Sequence, residues 1–262
     1  MEIFLQQVIN GVTVGCLYAL VALGYSMVYG VLKMVNFAHG ELFMLGPMFS
    51  LFVLQAMGLV TGRLNSIAGN PTLPMMIGLM ALCFLVGSAF AAVIGLAMER
   101  VVYRPLRDRN AAMEIAMIAA MGVSLFLQNA AMLIFGRLQK GYPVMIETKF
   151  YTFAGASFSN VQVFILIFVA ILLIGLSYLV NKTYMGRNFR AVALDRCASG
   201  LMGVNVNAVV AFVFILGPAI GAASGVLYAM QYSQVYYLMG AVVGMKGWIA
   251  AIIGGIGSSS KV

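Results

Sequence analysis

Seven apolar stretches alternate with polar ones along the chain: residues 5–30, 42–62, 75–98, 112–136, 161–180, 208–230 and, less cleanly, 238–257. A helix needs about 20 mostly apolar residues to cross a bilayer, so each stretch predicts a spanning helix. Between them lie a Gly/Pro-rich loop at 61–74, a basic loop at 99–109, a polar loop at 137–160 and a second basic segment at 181–207. No shift in composition marks off a soluble domain. The pattern predicts one all-α unit over 1–262, a polytopic integral membrane helix bundle of about seven spans.

One interruption is unlike the other loops. Val31 to Glu41, VLKMVNFAHGE, places Lys33, Asn36, His39 and Glu41 within eleven residues of a chain that is 8% charged, and His39 is its sole histidine. Two readings stand open. A turn between spans is polar because it is wet; alternatively, ionisable groups at membrane depth are costly and face a cavity or partner. Gly40 adds a point where backbone can break or approach closely. A broken or re-entrant segment near 31–41 is therefore expected.

Composition sharpens the class. The 262 residues are 63% hydrophobic, more apolar surface than a water-soluble core of this size can hide. The net charge of +8 does not point to nucleic acid, because the basic residues sit in short loops between apolar stretches. Arg100, Arg104, Arg107 and Arg109 fall in one loop; Lys182, Arg187, Arg190 and Arg196 fall in another two spans later. The two loops must share a side, and the positive-inside rule makes it cytoplasmic. The N-terminus and the 137–160 loop, with only Arg137, Lys140 and Lys149 partly offset by Glu147, are then expected outside. The start MEIFLQQ lacks a basic n-region and a cleavage site, and reads as a mature start. Cys16, Cys83 and Cys197 have no metal or disulfide spacing, and no metal site is expected.

Small residues predict helix packing. Gly11 and Gly15, Gly217 and Gly221, Gly221 and Gly225, and the pair at 240 and 244 each fit G-x-x-x-G, which leaves a face on which another backbone can pack. Pro218 predicts a bend in the sixth span. Glu114 suits the first turn of the fourth span, and Gln128 and Asn129 are expected to bond between helices. Lys246 is an odd charge between glycines 244 and 247, which favour an irregular segment. It either snorkels to an interface or lines an aqueous route or carbonyl site.

The second informative stretch is GRNFRAVALDRCASGLMGVNVN, 186–207. Ala191, Val192, Leu194, Ala198, Leu201 and Met202 form a short apolar face beside Arg190, Asp195 and Arg196, with Gly203 as C-terminal stop. Few Lys/Arg and a small apolar face favour docking to a protein over lying on lipid.

Five blocks, in order, carry a resemblance: NGVTVGCLYALVALGYSMVYGVLKMVNFAHGE, ERVVYRPLR, SLFLQN, MGRNFRAVALDRCASGLMGVN and GMKGWIAAIIGGIGS. Together they resemble the permease subunits of branched-chain amino acid ABC importers. The resemblance implies a second related permease, two cytoplasmic ATPase subunits that hold ATP and magnesium, and an extracytoplasmic solute-binding protein, in a bacterial plasma (inner) membrane. It implies no cofactor on this chain. It assigns Arg187, Arg190, Asp195, Arg196, Ala198, Leu201 and Gly203 to an ATPase-coupling segment within 182–207. It assigns Asn36, His39, Gly40 and Glu41 to a break at the translocation pathway, to which Lys246 is added. The family continues past the last block with a further apolar segment, and at Cys197 and Gly200 it favours bulkier or more polar residues.

The substrate expected from the resemblance is leucine, isoleucine or valine, the alternative being urea, short amides or aromatic acids in the same importer class. The chain has no G-x-x-x-x-G-K-[ST] loop and is not expected to hydrolyse ATP itself. A passive channel of the water or glycerol type needs two Asn-Pro-Ala copies, whereas Asn36 is followed by Phe37. An intramembrane metalloprotease needs a second histidine in H-E-x-x-H, and a Ser–His protease needs a serine brought to His39.

Overall fold

The computed structural model describes residues 2–61, 66–67, 73–109, 111–146, 149–153 and 156–256. The Glu147 position, most of the 61–74 loop and the Ser258–Val262 tail lie outside the described residues. The chain runs α1 (Glu2–Leu32), α2 (His39–Ala56), β1 (Val60–Thr61), β2 (Ser66–Ile67), α3 (Leu73–Met98) and α4 (Arg104–Asp108). It continues with α5 (Met113–Phe135), β3 (Lys140–Gly141), β4 (Phe150–Phe153), β5 (Ala156–Ser159), α6 (Asn160–Lys182), α7 (Tyr184–Leu194) and α8 (Arg196–Leu201). α9 (Val206–Tyr232), β6 (Gln234–Val235) and α10 (Met239–Ile253) close it. The expected all-α membrane bundle is what forms. The short strands make three two-stranded antiparallel pairs, β1–β2, β3–β6 and β4–β5, that only fasten loops.

Among the described residues five helices are long and apolar enough to cross a membrane: α1, the run 74–108, α5, α6 and α9. α2 has 18 residues and opens on His39, Gly40 and Glu41, and α10 has 15, so both fall short of a full span. The expected count of seven reduces to five full spans plus α2, buried against α9 and α3, and a half-exposed α10 packed on α1 and α2. Apolar sequence alone does not separate a helix facing lipid from one facing protein.

α9 is the axis, packed on α1, α2 and α3, with Val209, Val213, Phe214, Ala222, Val226 and Leu227 buried along it. It runs unbroken through Pro218. The Ser224 hydroxyl donates to the Leu17 carbonyl at 2.9 Å, and Gly217 faces Gly24, so α1 and α9 are antiparallel. α2 runs parallel to α9, with His39 at Gly221 and Phe43 at Gly225.

Three expectations change. The 99–109 stretch is helical to Asp108, not a loop: one wide π-type turn, Glu99–Tyr103, joins α3 to α4. It buries Glu99 and Tyr103, and Arg107 donates to Glu99 at 3.1 Å and to Asn207 at 2.8 Å. Fastening of that kind is invisible in composition. α10 is regular through Lys246, because its glycines provide close packing rather than a break. Asn129 donates to the Leu125 carbonyl of its own helix at 2.7 Å and not to a neighbour.

The two basic segments do share an end of the bundle. Burial, and then the charge of Arg107, draw the Arg196 guanidinium below its ordinary pKa. The opposite end holds the start of α1, the β4–β5 hairpin and the start of α6. There Gln6 donates to the Ser157 carbonyl at 2.9 Å and accepts from its N–H at 2.7 Å.

Candidate functional site

The interruption after α1 is sharper than its sequence suggests. Helix ends at Leu32, Lys33 turns left-handed at φ 54°, and α2 starts at His39, so the break is 33–38 and His39, Gly40 and Glu41 form the first turn of α2. Met34, Val35, Asn36, Ala38 and the three residues after it are buried, so this turn is not a solvated one. Because His39 meets Gly24 and the Tyr25 ring, α2 begins inside the bundle, about two turns of α1 back from its end.

Asn36 organises the break. Its Oδ1 accepts from the Ala38 N–H at 3.1 Å and from the Tyr103 hydroxyl at 2.7 Å, tying the segment to the π-type turn. Its carbonyl accepts the His39 N–H at 3.0 Å.

His39 sits in a socket with glycine walls. A β-carbon on Gly24 would lie inside the imidazole, one on Gly221 would stand 3.3 Å from Nε2, and one on Gly217 would stand 3.8 Å from Cε1. The Tyr25 ring covers the imidazole edge-on at 4.8 Å between centroids. Neither nitrogen has a hydrogen-bond partner among the described residues. Gly40 is the crossing point with α10: a β-carbon there would stand 2.6 Å from the Gly240 carbonyl and 2.9 Å from the Gly244 Cα. Glu41, also buried, accepts from the Ser124 hydroxyl at 3.2 Å, and its second oxygen is unpartnered among the described residues. An acidic group in a first helical turn complements the helix dipole.

The remaining expected site residues divide. Lys246 lies apart, exposed on α10 with Nζ 5.7 Å from the centre of the Tyr18 ring. Gly217, Gly221 and Gly225 make the close helix contacts, Gly225 against the Phe43 backbone and Pro47. Gly11 and Gly15 meet nothing within 4 Å and make no such contact within this chain.

The coupling stretch is two helices, not one amphipathic rod. Asp195 is extended at φ −150°, ends α7 and caps α8, its side chain accepting from Cys197 N at 2.8 Å and Ala198 N at 3.0 Å. Aspartate favours this N-cap geometry over a helix interior. Gly203, at φ 83°, is the expected stop, with the Val204 N–H reaching the Ser199 carbonyl at 3.0 Å. Of the expected apolar face only Val192 is buried; Leu194, Leu201 and Met202 are 77%, 84% and 85% exposed. Ala198 is exposed, Arg187 lies against Tyr184, and Arg190 donates to Asn181 at 3.0 Å. Arg196 turns inward. Its Nε donates to the Val31 carbonyl at 2.7 Å, and its Nη2 bonds the same oxygen. That carbonyl is one of the four a helix end leaves unpaired, so Arg196 joins α8 to α1 two residues before the left-handed turn.

Sequence reading missed Gly24, Tyr25, Tyr103, Ser124 and Val31. Gly24, Tyr25 and Ser124 are ordinary residues of apolar helices, Tyr103 lies in a stretch read as a basic loop, and Val31 takes part through its backbone. Only Glu99, an acid at the end of an apolar run, carried a usable signal for the bridge to Arg107.

A bundle of membrane-capable helices whose second helix starts inside it, with glycine-walled polar groups at that start, defines a polytopic membrane protein. The sequence comparisons agree. Residues 7–262 match the family described as branched-chain amino acid transport system / permease component. The chain is 37% identical over 260 residues to the high-affinity branched-chain amino acid transport system permease protein BraD of Pseudomonas aeruginosa, covering 97% of this chain and 80% of BraD. It is 37% identical over 262 residues to the LivH permease protein of Escherichia coli, with the same coverage. It is 29% identical over 248 residues to a probable LivH of Methanocaldococcus jannaschii, covering 92% of this chain and 70% of that one. No solved structure matches. The chain belongs to the branched-chain amino acid permease family.

Proposed function

We propose that this chain is the permease subunit of an ATP-driven importer of leucine, isoleucine and valine. It forms half of the translocation pathway in a bacterial plasma membrane. The observation that carries the reading is the 37% identity spanning 97% of the chain with permeases named for that transport. A second related permease supplies the other half, two cytoplasmic ATPases supply ATP and magnesium chemistry, and a solute-binding protein delivers substrate to the end opposite the basic segments.

Two features of the geometry support this reading. Leu194, Leu201 and Met202 are apolar side chains turned outward on the basic end, the surface a partner ATPase needs. Arg196 connects the same segment to Val31, next to the turn from which α2 departs. Displacing α7 and α8 pulls the end of α1, the left-handed turn at Lys33 absorbs the change, and the start of α2 moves within the bundle. Asn36, His39, Gly40 and Glu41 ride on that start, and the dipole of a half-helix there can meet a charged group of the substrate.

Reconstitution of the chain with its co-purifying subunits tests the reading. ATP-dependent accumulation of leucine is expected, and Arg196→Gln is expected to lower uptake per ATP hydrolysed by about tenfold, equivalent to about 1.4 kcal/mol of lost coupling, while assembly persists. Accumulation of leucine by this chain without ATPases, or none by the complete assembly, overturns it.

A further inference from the structure

At the end of the bundle opposite the basic segments there is a cavity of about 300 Å³ between the start of α1, the β4–β5 hairpin, the start of α6 and the end of α9. That is the lower end of the range for small-molecule sites. Its wall has two halves. Gln6, Asn10, Gln162 and Gln231 supply carboxamides, and Ser233 a hydroxyl; Val144, Ile146, Phe150 and Met230 supply apolar surface.

No ionisable side chain lines it among the described residues. A net charge buried there has no counter-charge among the described residues, so that wall suits an occupant that is neutral overall. Much of the polar half is already spent on structure. Gln6 is paired with Ser157, and Asn10 Oδ1 accepts from Gln162 at 3.1 Å, while Gln162 and Ser159 cap α6 reciprocally. Gln231 differs: its Oε1 is buried and unpartnered among the described residues. A buried acceptor without a donor forgoes the hydrogen bond it had in water, so an occupant that brings N–H groups is favoured.

We propose that this cavity is a binding site for an aliphatic amino acid zwitterion, with its ammonium on Gln231 Oε1 and its side chain against Val144, Ile146, Phe150 and Met230. The choice of an amino acid rests on the transport reading; the demand for a neutral, donor-bearing, half-apolar ligand rests on the wall. The site is distinct from the His39–Glu41 turn, about 20 Å away along α1 at 1.5 Å per residue.

The test is binding of radiolabelled L-leucine to the full chain, with its co-purifying subunits, in lipid nanodiscs, alongside leucine uptake by the complete importer. Saturable binding is expected, weakened at least tenfold by Gln231→Leu and by the cavity-filling Val144→Trp, and retained by Gln231→Glu, which keeps an acceptor. 4-Methylvaleramide, which is neutral and keeps N–H donors, is expected to compete, and 4-methylvalerate, a net anion without them, is not. Thermal midpoints of the variants within a few degrees of the parent show that they fold. Uptake without saturable binding, or binding indifferent to Gln231→Leu and Val144→Trp, overturns the site and leaves the transport reading standing. Binding that responds to the variants in an assembly that accumulates no aliphatic amino acid overturns the transport reading and leaves the site.

Discussion

The two ends of this bundle are fastened by different chemistry. At the basic end the links are separate and mostly charged: Arg107 to Glu99 and Asn207, Tyr103 to Asn36, and Arg196 to the Val31 carbonyl. Each joins separate elements through one side chain, and two involve charges held out of water. At the other end the links are neutral and interlaced: Gln6 with Ser157, Gln162 with Asn10 and Ser159, and β3 with β6. The contrast separates an end held by separate, charge-assisted contacts from an end held by a reciprocal frame. Single charge-assisted contacts can be exchanged by a partner's pull, whereas reciprocal carboxamide pairs must all be broken together.

That contrast can be broken most severely at Glu99. Arg107→Ala strands a buried carboxylate, and removing one partner of a buried pair costs about 3–5 kcal/mol, with the lower half expected since the Arg107 side chain is partly exposed. The thermal midpoint of the detergent-solubilised chain checks this. Adding Glu99→Gln is expected to recover most of the loss; no recovery would mean that the bridge is not what holds the π-type turn.

A smaller effect is expected where α2 begins. Gly24→Leu forces a side chain into the His39 socket, and overpacking costs about 1–3 kcal/mol. Uptake is expected to fall more than stability does, because in the proposed mechanism the start of α2 is the part that shifts. Gly11→Leu, in the open face of the same helix, is expected to stay within about 0.5 kcal/mol of the parent. Equal losses at both positions would remove the distinction between the buried and open faces of α1.

The frame is expected to yield least. Gln162→Leu removes one arm of the α6 capping box, and loss of a cap costs about 1 kcal/mol. Hydrogen exchange is expected to increase over 156–165 and to leave 33–41 unchanged. Faster exchange at the break would couple the two ends and dissolve the comparison.

The class of protein was legible in the chain itself. Runs of about 20 apolar residues exclude water as solvent, and flanking arginines assign the ends, because burial in lipid leaves the backbone no alternative to helix. The polar composition of Val31–Glu41 and the stop at Gly203 were likewise visible, since each departs from the residues around it within a short local stretch. The coupling stretch was only half legible: its ends were clear, but one helix and two helices split at Asp195 share the same apolar periodicity.

What only the tertiary structure decided is which residues meet. Gly24 becomes a wall of the His39 socket because α9 runs antiparallel to α1 and brings Gly217 and Gly221 to the same depth. Gly11, which has the G-x-x-x-G spacing that Gly24 lacks, meets nothing within 4 Å. Glycine spacing records that a helix can be approached closely, not whether it is. Hydrophobic periodicity is a property of one helix, whereas a socket, a tie between Arg196 and Val31, or a cavity at the end of α9 is a property of several. Their geometry is decided by how apolar surfaces of different helices fill space together.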